Sequence, residues 1–170
     1  MPRYDFMLAE AWTGAPDVVR WAGVVVACLA ALEDLRVRRL RNTLVLGVLL
    51  CGLVFSFGSR GGGGWASLAI AAALLVPLFG LAAASLVGGG DAKMIPAVST
   101  LVLPGQTLDL IYAIALWGGG LGVLFMAARS LLARPALAGR FARLEAQTSQ
   151  GLPFGVAIAA GLLTTLLAAS

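Results

Sequence analysis

The 170-residue chain contains no histidine. That absence excludes Ser-His-Asp and Cys-His catalysis, the His-Glu-x-x-His zinc site, and any intramembrane serine protease with a histidine base. Cysteine is scarce as well. Cys28 and Cys51 both lie in apolar runs and neither belongs to a Cys-x-x-Cys pair. A zinc site or disulfide framework is therefore not expected, and both read as small packing residues. Charged residues make up only 12% of the chain, about half the ~25% of a soluble domain. What fills the chain instead is apolar: 60% hydrophobic residues and a mean hydropathy of +0.95. This composition predicts an all-α integral membrane protein, and the length fits one domain over residues 1–170. The net charge is +4. Its arginines cluster between apolar runs, which suits orientation in a membrane and contact with anionic lipid, and does not suit nucleic acid.

A span needs ~20 apolar residues at ~1.5 Å rise to cross ~30 Å of hydrocarbon. Six candidates are present, roughly Val18 to Leu32, Thr43 to Phe57, Ser67 to Val87, Met94 to Leu103, Leu108 to Ala128, and Leu152 to Ala168. The fourth is short and carries Pro96 and Pro104 near its ends. Residues 1–17 read as a short polar lead without the order of a cleavable signal. If the N-terminus is outside, the inner segments 33–42, 88–93 and 129–150 hold nine of the 12 basic residues. That follows the positive-inside rule. The loop 129–150 is then a basic cytoplasmic loop on the membrane surface.

Two aspartates close apolar runs. Asp91 follows Gly88-Gly89-Gly90 and precedes Ala92-Lys93, and Asp34 stands in Glu33-Asp34-Leu35-Arg36-Val37-Arg38-Arg39-Leu40-Arg41-Asn42. Ionisable groups at a span edge mark a functional site by default. Two spans separate them, so both lie on the same side, and they meet if the first and third spans pack together. Two carboxylates in contact share a proton and can activate water. Plainer readings exist for each. The three glycines permit positive φ and close approach, and Asp91 could simply cap the next helix. Asp34 could pair with Arg36, Arg38 or Arg41, and Glu33 could be the important acid instead, because adjacent residues point to different faces. Lys93 could pair with an aspartate or with lipid phosphate. Gly118-x-x-x-Gly122 and Gly151-x-x-x-Gly155 have the spacing of close helix packing.

Together these segments resemble a known family. Gly88-Gly89-Gly90-Asp91 with Ala92-Lys93 looks like the GxGD signature of intramembrane aspartyl proteases. Asp34-x-Arg36 followed by Asn42 looks like the first-aspartate motif of the type IV prepilin peptidases, although Arg41 stands where many members have proline. Gly151-Leu152-Pro153-Phe154-Gly155 resembles their C-terminal proline-glycine motif. The resemblance runs from about Trp21 to Ala168. It implies a GxGD protease fold of about six transmembrane helices in a bacterial inner membrane. Asp34 and Asp91 would be the catalytic pair. Gly88, Gly89, Gly90, Pro153 and Gly155 would shape the site for a substrate backbone, with Lys93, Arg36 and Asn42 in secondary roles. No metal or other cofactor is implied. The substrate would be a prepilin or pseudopilin, cut at the cytoplasmic face. Nothing in the chain could supply the Cys-x-x-Cys insertion tied to N-methylation in larger members, so it looks like the compact branch serving Tad/Flp-type pili. A small proton-coupled transporter using the two aspartates as relay groups is the alternative, but relay acids sit nearer the bilayer midplane.

Overall fold

The computed structural model describes residues 3–37, 40–58, 63–132 and 154–169. Six α-helices appear among them and no strand: α1 (Arg3–Val37), α2 (Asn42–Gly58), α3 (Gly64–Ala83), α4 (Asp91–Ser99), α5 (Thr107–Leu132) and α6 (Phe154–Ala168). A 3-10 turn, Pro104–Gln106, leads into α5. The all-helical architecture agrees with the expectation from composition. Two helical stretches, Gly64–Ala83 and Pro104–Ser130, are long and apolar enough to cross a membrane, and Asn42–Gly58 and Phe154–Ala168 are shorter apolar helices.

Two boundaries differ from expectation. The polar lead is helical from Arg3 and continuous with the first span. At ~1.5 Å per residue α1 is about 50 Å long, well beyond the hydrocarbon thickness. The fourth segment is a nine-residue helix followed by irregular backbone at 100–103. Its length of about 14 Å cannot cross alone. The segment nevertheless traverses the bundle, since Lys93 bonds to Asn42 at one end and Pro104 lies against Gly63 at the other. It is the most buried part of the chain, with Met94, Val98, Leu101 and Val102 all enclosed. The polar groups freed by the broken helix are satisfied locally. Ser99 and Thr100 hydroxyls donate to the carbonyls of Pro96 and Ala97, and Ser56 donates to Thr100 O at 2.8 Å.

Helix α1 packs on α2 and α6, α4 sits against α2, α3 and α6, and α5 lies along α6. The first and third spans, one arrangement that the sequence permits, do not pack together. The helices α2 and α6 instead contact both α1 and α4 and bring the two aspartates to one end. Small residues allow the close approaches. A Cβ on Gly161 would meet the Ile114 backbone at 2.8 Å, and one on Gly118 would meet the Phe154 ring at 2.6 Å, whereas Gly122 has open space. Thus the first glycine of the 118/122 pair serves packing and the second does not. Arg20 is tucked inward at the opposite end, donating to Leu101 O at 3.0 Å over the Phe55 ring.

Candidate active site

Asp34 is inside because of where it falls on α1. Ala27, Ala30 and Ala31 form the buried stripe of that helix, and Asp34 continues it at spacings of three, four and seven. The small side chains bring α6 close enough for its backbone to reach the carboxylate. The Gly155 N–H, in the first turn of α6, donates to Asp34 Oδ2 at 2.9 Å. Those N-terminal amides have no partner within their own helix, so an acidic side chain is a favourable acceptor there. A Cβ on Gly155 would stand 3.0 Å from both Cβ and Oδ2 of Asp34. Asp34 is 8% exposed.

Asp91 is the first residue of α4 and heads the buried stripe continued by Met94 and Val98. Gly90 is the N-cap, with no side-chain cap bond, so Asp91 does not act as the cap that its sequence position permits. Nor do the three glycines use positive φ. Gly90 has φ −70°, and none of the three lies in the left-handed region. Their role is steric. A Cβ on Gly88 would meet Asp91 Oδ2 at 2.6 Å and one on Gly90 would crowd Leu40 at 3.0 Å, while Gly89 faces open space. The left-handed residue in this connection is Ser85, φ 60°, which ends α3. There the Leu86 N–H reaches back to Leu81 O, closing the helix in the manner usually reserved for glycine.

The Asp34 charge reaches Asp91. Asp91 lies ahead of the apolar stretch of α4, outside the membrane-spanning runs, and is half-buried. Burial, and then the nearby Asp34 charge, raise its carboxyl from the ordinary 3.8 to about 6.

The neighbours sort differently from the simplest sequence pairings. Among the described residues, Arg41 pairs with Glu33 at 3.4 Å and not with Asp34. Glu33 Oε2 is buried without a hydrogen-bond partner. Lys93 Nζ donates to Asn42 Oδ1 at 3.4 Å, so it is held by an amide and not by an aspartate. Arg36 is exposed in the last turn of α1. Pro153, Gly151, Arg38, Arg39 and the loop from 133 onward lie outside the described residues. Among the described residues no cluster of three His, Cys, Asp or Glu could hold a metal ion. The Glu33–Arg41 pair escaped the sequence reading, and only its spacing across the α1–α2 connection hinted at it.

No curated protein and no solved structure matches the chain. A protein-family model does, over residues 21–169, which takes in both aspartates and the Gly155 amide. By that match the chain belongs to the type IV leader peptidase family.

Proposed function

We propose that this leader peptidase is an aspartic endopeptidase whose catalytic pair is Asp34 and Asp91. Its substrates are prepilins or pseudopilins of the Tad/Flp type, cut at the cytoplasmic face of the inner membrane, and it has no N-methyltransferase activity. The observation that carries this reading is the meeting of a buried carboxylate, Asp34, held by the α6 backbone, with a half-buried one, Asp91, whose carboxyl it raises, at one end of the bundle.

The chemistry follows from a shared proton. The ionised member of the pair takes a proton from a water, which attacks the scissile carbonyl. The protonated member donates a hydrogen bond to that carbonyl oxygen and stabilises the charge that develops there. The amine then leaves with a proton returned by the pair. Gly88, Gly89 and Gly90 keep side chains away from the approach to Asp91, so an extended backbone can come near. The concentration of arginines and Lys93 at the carboxylate end supports a cytoplasmic site. It also supports contact with anionic lipid through the basic loop.

The test is co-expression with a Flp-type prepilin, with leader removal read as a gel shift. Wild type should cleave, and Asp34→Asn and Asp91→Asn should each abolish the shift while the proteins still insert. Cleavage by either variant would remove that aspartate from the mechanism. Failure of the folded wild type on several prepilins would end the protease reading of these residues.

A further inference from the structure

The carboxylate site accounts for the inward face of α4 and leaves its other face unexplained. On that side α2, α3 and α4 enclose a groove of about 510 Å³. Helix α3 leans on α4 and only lightly touches α2, which leaves the groove open along its length. Its walls have a regular pattern. Helix α2 contributes Asn42, Val45, Leu46 and Leu49, and α3 contributes Leu68, Ala71, Ala72 and Leu75. Both sets run i, i+3, i+4, i+7, the stripe a helix presents to another helix. The floor is Pro96 and Ala97 of α4, with Lys93 at one end. Each stripe rises about 10 Å, or two helical turns. Small residues at the floor and on the α3 wall allow a backbone to approach closely, which is how helices associate in a membrane.

The groove also leads to the carboxylates. A second hollow of about 310 Å³, lined by Phe79, Ala82, Ala83, Gly89 and Lys93, shares Lys93 with the first. Gly89 is the middle of the glycine run that ends at Asp91. Its Cβ position is empty space. A chain rising from the groove can therefore pass Lys93, cross the bare backbone at the top of α4, and reach Asp91 on the other face.

We propose that this groove seats the apolar helix of the substrate, two turns deep, and that the extended stretch before it crosses Gly89 to place the scissile bond at the carboxylates. The occupant is a helix because an apolar segment lying among membrane helices must satisfy its own backbone hydrogen bonds. It belongs to the substrate because the groove continues into the site. This rests on the protease reading above.

The experiment incorporates p-benzoylphenylalanine at Leu46, at Leu75, and at Leu116, which is exposed on α5 away from the groove. Each is irradiated in membranes holding an uncleaved prepilin, in wild-type and Asp91→Asn backgrounds. Cross-links to the prepilin helix at 46 and 75 and not at 116 are the expected result. Cross-linking to lipid alone, to a second copy of the protease, or equally at 116 overturns the proposal. Two variants give an independent readout. Ala72→Phe fills the groove and Gly89→Val obstructs the crossing. Each should slow prepilin cleavage about tenfold or more with an unchanged thermal midpoint. Wild-type rates in both would also overturn it. The cross-links decide the groove even if no prepilin is cut, so loss of the protease reading and loss of this inference are separate outcomes.

Discussion

At the scale of single residues, the contact between Gly155 and Asp34 is the most sensitive point. A methyl at 155 would press on the carboxylate it now holds. Gly155→Ala should turn Asp34 off the amide and lower leader cleavage about tenfold or more without loss of insertion, as rates in the gel-shift assay would report. A wild-type rate would mean that the bond positions nothing. Glu33→Gln should cleave within about twofold of wild type, because its partner Arg41 is largely exposed and such pairs contribute little. The Asp91 carboxyl, raised to about 6, sets a pH dependence with a definite sign. Its protonated form is lost above that value, so cleavage should fall on the alkaline side. Its folded-state value also exceeds the unfolded one, so stability is lost as pH rises from about 4 through 6. Asp91→Asn should therefore raise the thermal midpoint at pH 7.5, with the gain fading toward pH 4. An unchanged midpoint at both pH values would contradict the burial of that charge. Both aspartates were legible in the sequence as candidates, but which of Glu33 and Asp34 turns inward was left open. Asp34 extends the alanine stripe of α1, and Glu33 does not. Of the two reasons offered for the glycines, close approach holds at Gly88 and Gly90 and positive φ does not. They clear space for Asp91 and Leu40, a tertiary fact that a φ-based argument cannot reach.

At the scale of elements, helix existence followed from hydrophobic runs, and the errors lie where polarity and length mislead. Residues 3–16 contain two acids, Asp5 and Glu10, yet they extend α1, because a helix already formed propagates cheaply. The weakness of the fourth segment was visible in its length and prolines. Its burial was not, since no single run reveals that α2, α3 and α6 will pack around it. The seam between α5 and α6 depends on Gly161, where any side chain strikes the Ile114 backbone. Gly161→Val should destabilise the fold by about 2–3 kcal/mol, measurable as a lower thermal midpoint in detergent. An unchanged midpoint would show that the two helices can part without cost.

At the scale of the whole molecule, Asn42, Asp34, Asp91 and the start of α6 share one end, and Gly63 and Pro104 mark the other. The even number of crossings between the aspartates anticipated this, although the route offered for their meeting, contact of the first and third spans, is not the one used. Contacts between distant helices are set by packing small residues, and charge counting contains no such information. In a background with Cys28 and Cys51 replaced by alanine, an impermeant maleimide added to intact cells should label Leu103→Cys and spare Arg41→Cys. The reverse would put the carboxylates outside and sink the cytoplasmic reading. The bond from Gly155 to Asp34 joins residues 121 positions apart, through α6. A nascent chain still short of α6 thus has both aspartates but lacks the amide that holds one of them.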